Sequence, residues 1–196
     1  MQSCWTRNLS FDAPDDESAD RAAGHAARAL QAQSGVSHAC ANVPRSVATY
    51  LFAWNPSLIF KWPELPDDVR RVARRGHLDT RWNAGRARSI EPGSRAFLVR
   101  VGVEPRGLFG AGYVLTAPVT GPHWSPEKLA RGAVTNFVDL RLDQLFELPP
   151  LTYADLAVPP FGRFRWGVRS SGTRVPTTLA DALEDLWERN SQGESK

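Results

Sequence analysis

The sequence predicts an α+β barrel, a mixed sheet closed on itself with short flanking helices, on three observations. From Val47 onward, short β-branched and aromatic runs alternate with tight-turn signals. Short helical segments with their own start and stop signals interrupt those runs. Two glycines, Gly110 and Gly112, stand inside one of the runs, as at a bulge or a barrel corner.

Residues 1–45 offer few large apolar side chains, and Asp12-Ala-Pro-Asp-Asp-Glu-Ser is polar and turn-forming. Such a stretch cannot offset its ordering entropy by burial, so a mobile extension is expected there. The domain is expected over 46–190, with 191–196 as a tail. Val47 to Trp54 is β-branched and aromatic and stops at Asn55-Pro56, so it is a strand. Pro66 to Arg75 has Pro at its start, acids in the first turn, arginines in the last and Gly76 after it, the signals of a helix. Glu91-Pro-Gly-Ser94 turns into a strand over 95–101, and Glu104-Pro-Arg-Gly107 turns into another over 108–115. Thr135 to Leu142 alternates apolar and polar, a half-buried strand. Leu179, Leu183, Leu186 and Trp187 share one face of a closing helix, which Thr177 or Thr178 can cap.

No apolar run approaches the ~20 residues that span a bilayer, and Met1–Phe11 lacks a secretory apolar core. A cytoplasmic protein without a membrane partner is expected. Cys4 and Cys40 form no ligand pair, and no phosphate-cradling glycine motif, nucleophile elbow or metal-spaced His/Cys set is present. No cofactor and no metal are therefore expected. An acid–base enzyme would have to combine His123 with Asp139 or Glu127, which nothing in the sequence brings together, so a non-enzyme is the better reading.

Charge is uneven. The chain carries a formal +3, but residues 66–106 hold ten arginines against five acids. Arginine's planar fork suits phosphate, so this stretch points to an anionic partner, although 21 Arg against three Lys also fits a GC-rich coding sequence. Tryptophans are the other excess. Trp187, on the apolar stripe of the last helix, and Trp62, between Phe60 and Leu65, belong to the core. Trp82 and Trp124 have polar or turn-forming neighbours, where stacking on a base competes with packing.

From Tyr50 to about Pro149 the order of motifs resembles the EVE and YTH domains of the PUA-like superfamily. Tyr50-Leu-Phe-Ala-Trp-Asn-Pro56 resembles their first strand and the corner after it, and Arg81-Trp-Asn-Ala-Gly-Arg86 a loop that walls the base pocket. Ile90-Glu-Pro-Gly-Ser-Arg-Ala-Phe-Leu98 is similar to their turn and strand, with Ser94 where Asp is usual. Arg106 to Val114 resembles the central Gly-rich strand, Gly121-Pro-His-Trp124 the second cage position, and Phe137-Val-Asp-Leu140 the strand after it. Phe164 to Gly172 resembles the tail of EVE-like readers fused to HNH nucleases, although no nuclease is present in this sequence. The resemblance implies a PUA-like mixed β-barrel that reads a flipped, modified base between Trp82 and Trp124 in anti-phage defence. Trp54, Asn55 and Asn83 would edge that pocket, and Arg81, Arg86 and Arg88 would hold phosphates. The implied partner is modified DNA, with 5-methyl- or 5-hydroxymethylcytosine as the base, alone or with a separate nuclease or ATPase. Modified RNA is the alternative, and a hydrolase or ribonuclease on the same fold, as in ASCH relatives, is the third reading.

Overall fold

The computed structural model of the chain describes residues 48–58 and 61–192, so the expected extension 1–45 and most of the tail lie outside it. The described chain runs β1 (Thr49–Trp54), α1 (Leu65–Arg75), β2 (Leu78–Gly85), β3 (Arg95–Arg100), β4 (Gly107–Val114), β5 (Val119–Pro122), α2 (Pro126–Ala130), β6 (Val134–Leu145), β7 (Leu151–Thr152), β8 (Thr173–Val175) and α3 (Thr177–Ser191).

The signals in α1 act as expected. Pro66 stands in its first turn, Asp67 and Asp68 follow, Arg74 and Arg75 close it, and Gly76 caps it at φ 77°. That backbone conformation is one only glycine adopts without strain. α3 starts at Thr177 behind Pro176 and has no side-chain cap, so neither Thr177 nor Thr178 serves as expected.

The strands form one mixed sheet in the order β2-β6-β4-β3-β1-β8, with β5 added to β6 and β7 to β4. The mixed α+β class holds. The sheet is not closed, because among the described residues β2 pairs with β6 alone and β8 with β1 alone. Its two ends meet by loop packing instead. A Cβ on Gly85 would lie 2.6 Å from Ser170 Oγ and 3.2 Å from the Ser171 carbonyl oxygen, so the chain entering β8 abuts the end of β2 without a ladder. The glycines of β4 act as expected. A Cβ on Gly112 would fall 2.0 Å from the Arg141 carbonyl oxygen, and the β4–β6 register shifts between Ala111 and Gly112.

Alternation along the strands splits the core in two. Phe52, Trp54, Leu98, Phe109, Leu140 and Leu142 join Leu65 and Val72 of α1 on one face. Leu51, Phe97, Val99 and Leu108 join Leu183 and Trp187 of α3 on the other. Arg95 ties α3 to the sheet. It is 5% exposed, and its guanidinium donates to Glu184 at 2.7 Å, to Asp143 at 3.1 Å and to the Gly112 carbonyl at 3.2 Å. Burial works against that charge, but the hydrogen bonds and attraction of Glu184 and Asp143 prevail and hold its pKa above the ordinary arginine value.

Candidate functional site

β2 ends in a built-in irregularity. Gly85 sits at φ 61°, and the β2–β6 register shifts between Asn83 and Gly85. The Asn83 amide oxygen accepts from Gly85 N at 2.8 Å and from Thr135 Oγ1 at 2.9 Å, which pins the strand end to β6. The segment after it is held from below. Asn136 Nδ2 donates to the Ala87 carbonyl at 2.9 Å, and Thr120 Oγ1 donates to Asn136 Oδ1 at 2.8 Å. Arg86 and Arg88, both exposed, therefore flank a residue whose backbone is fixed.

Between this segment and the β5–β6 ladder lies a cleft of about 500 Å³, lined by Gly85, Arg86, Arg88, Pro118, Thr120, Val134, Thr135 and Asn136. That volume suits a ligand of nucleotide size. Neither Arg86 nor Arg88 has a carboxylate partner among the described residues. Val134, Asn136 and Val138 share a face of β6, and Val138 stands opposite Trp82. The cleft is thus the solvent end of the face whose inner part is the α1-side core, about 7 Å away by strand rise.

The residues expected to meet a base are distributed differently. Trp82 lies on β2, not on a loop, and is 7% exposed, with its ring 5.5 Å from that of Trp62. Trp54 is 7% exposed in the same cluster, 5.9 Å edge-on to Trp62 and 5.3 Å from Phe109. Trp82 reads as a loop residue in sequence because its strand neighbours Arg81 and Asn83 are polar. In a strand, polar neighbours on the opposite face are what a buried residue has. Trp124 is in a loop as expected, half-buried and stacked on His123 at 5.4 Å and 30°. Trp82 and Trp124 thus have different ring neighbours, and neither lines the cleft.

Asn55 is turned onto its own chain, its amide oxygen accepting from Ser57 N at 3.0 Å and Ser57 Oγ at 2.7 Å. That is an Asx turn. Asn83 is the strand-end pin already described. The three arginines are split: Arg86 and Arg88 line the cleft, whereas Arg81 pairs with Asp139 across the ladder and lies 4.9 Å over the Phe137 ring. Phe137 is out of step with Asn136 along β6, so Arg81 occupies the reverse face of the sheet.

Thr120, Thr135 and Asn136 were not picked out as site residues by sequence. The signal was present in Thr135-Asn136, two polar residues heading an alternating strand, but nothing local tells that strand's solvent end from a ligand surface. The residues an acid–base enzyme would use have other partners. Glu127 pairs with Arg131 at 2.7 Å, and Asp139 accepts from Thr116 Oγ1 at 3.4 Å. His123 Nδ1 accepts from Ser125 N at 2.9 Å, and burial, then Lys128, holds the imidazole pKa below its ordinary value. Among the described residues no three His, Cys, Asp or Glu converge to hold a metal ion, and no helix is long and apolar enough to cross a membrane.

No family model and no curated protein matches the chain. Among solved structures, a hypothetical protein from Leishmania major aligns at TM-score 0.49 and 11% identity over 72% of this chain and 95% of its own. A protein from Pseudomonas syringae aligns at TM-score 0.47 and 16% identity, over 71% of this chain and 99% of its own. One from Pseudomonas putida aligns at TM-score 0.46 and 17% identity with the same coverage.

Proposed function

We propose that the chain is a nucleic-acid-binding module of PUA-like type, without catalysis of its own, that receives a flipped base of DNA in the cleft beside Arg86 and Arg88. The base class expected is a 5-modified cytosine, and the setting anti-phage defence, alone or with a separate nuclease or ATPase. The observation that carries the reading is a nucleotide-sized cleft whose two arginines have no carboxylate partner among the described residues. A guanidinium without a protein partner is ready for bidentate contact with phosphate. Asn136 and Thr120, held by each other and by the Ala87 carbonyl, keep spare acceptor capacity toward the cleft, and Asn136 a spare amide hydrogen. Base contacts thus move from the expected tryptophan pair to these polar groups, and Trp82 and Trp54 support the wall from within the core.

The test is a panel of DNA and RNA oligonucleotides that differ in one modified cytosine, titrated against the wild type, Arg86→Ala and Arg88→Ala. Tighter binding of modified DNA, weakened by both substitutions with the melting temperature unchanged, is the expected result. Binding indifferent to the modification, or unaffected by either substitution, defeats the reading. Preference for RNA moves the module to the RNA readers.

A further inference from the structure

We propose that the phosphate-binding surface continues from the cleft along the outer edge of β2 to the last turn of α1, gripping a DNA duplex at two places about seven base pairs apart. The cleft reading supplies one of these two ends.

The arrangement follows from one strand. α1 ends at Arg74-Arg75, Gly76 turns the chain, and β2 begins at Leu78 and runs to Gly85. Eight residues at about 3.3 Å each place the ends of β2 roughly 23 Å apart. One end thus carries Arg74 and Arg75, and the other Arg86 and Arg88. From Arg74 to Arg88 there are five arginines and a single acid, Asp79. That acid is already matched, its two oxygens accepting from Arg141 at 2.8 Å each. β2 pairs only with β6, so no strand among the described residues lies along its other edge.

α1 itself sorts its arginines. Arg70 is joined to Asp67 and Arg71 to Asp68, whereas Arg74 and Arg75, both exposed, have no carboxylate partner among the described residues. Balancing the helix dipole is the other service a last-turn arginine performs. That service predicts a stability change on substitution and no dependence on the length of a bound nucleic acid. Two unmatched pairs separated by a strand require an anion with charges spaced over the same distance, which a lone phosphate or a mononucleotide lacks. A duplex places one phosphate per ~3.4 Å of axis on each strand, so roughly 23 Å covers about seven steps.

The experiment titrates three proteins, wild type, Arg74→Ala/Arg75→Ala and Arg86→Ala/Arg88→Ala, with a 5-methylcytosine-containing 16-base-pair DNA duplex and a hairpin of five-base-pair stem, across a salt series, roughly twice and less than the expected seven-pair span. The α1 double variant is expected to bind the long duplex about ten-fold more weakly at low salt. Its plot of log affinity against log salt should be shallower by about 1.8, the loss of two phosphate contacts, and its hairpin binding unchanged. The cleft double variant should weaken on both ligands. Equal affinity of the α1 variant and wild type for the long duplex overturns the extended surface, and so does an equal loss on both ligands. Either result leaves the cleft reading standing if the cleft variant still loses both. A cleft variant that binds like wild type removes the cleft reading, and with it the two-point grip. Wild type that binds neither ligand overturns both.

Discussion

Arg95, on β3, and the Arg86–Arg88 pair, on the segment that leaves β2, are treated in opposite ways. Arg95 is buried against α3 with two carboxylates and a carbonyl around it, while Arg86 and Arg88 stand at the rim of a cleft with no carboxylate partner among the described residues. A charge taken out of water is costly unless it is matched, so the first arrangement serves the fold. A charge left in water unmatched contributes almost nothing to the fold, which leaves it free to serve a ligand.

The contrast is broken most violently from the core. Trp187 is 0% exposed, and Trp187→Ala should cost about 3–5 kcal/mol in urea unfolding. Trp82→Ala should cost about the same, which decides against a solvent-facing cage wall; a variant as stable as wild type would restore that role. Removing both carboxylates, in Asp143→Ala/Glu184→Ala, strands the Arg95 charge. The expected loss is about 3 kcal/mol, at the lower end for such pairs because both acids are roughly one-third exposed. Arg86→Ala/Arg88→Ala should stay within about 0.5 kcal/mol of wild type in the same assay while losing DNA affinity. A large loss of stability there would put these arginines in Arg95's class. The smallest effect belongs to Asp79, whose carboxyl is held below its ordinary pKa by the Arg141 hydrogen bond. A lowered folded pKa means the ionised form is favoured in the fold. That contribution is present above about pH 4 and lost as pH falls through the folded value. Both side chains are half-exposed, so a comparison with Asp79→Asn between pH 6 and pH 3, above and below that ordinary carboxyl pKa, should show less than about 1 kcal/mol.

How far the sequence carries depends on whether a signal is local. The ends of α1, the turn before β3 and the bulge-forming glycines of β4 were legible because Pro, Asp and Gly impose their geometry on immediate neighbours. β2 was not, because its apolar residues Leu78, Trp82 and Ala84 are interrupted by polar ones facing the other way and by a bulge at its end. Arg86 and Arg88 were picked out by charge, and they do share a cleft. Arg81 was grouped with them by proximity in sequence, and strand alternation puts it on the reverse face. Thr120 and Asn136 are 16 residues apart and meet only through the β5–β6 pairing, which a linear reading does not contain.

β6 has one more consequence, in time rather than in space. Among the described residues it is the only ladder partner of both β2 and β5, and it stands 49 residues after the end of β2. As the chain leaves the ribosome, β1, β3 and β4 can pair among themselves while β2 and β5 still have nothing to join. The cleft walls are contributed by β6 and by segments that wait for it, so the cleft closes late. An open-edged β2, flanked by Arg74 and Arg75 before it and Arg86 and Arg88 after it, spends that interval exposed. Those flanking charges supply repulsion that keeps unfinished chains from pairing edge to edge.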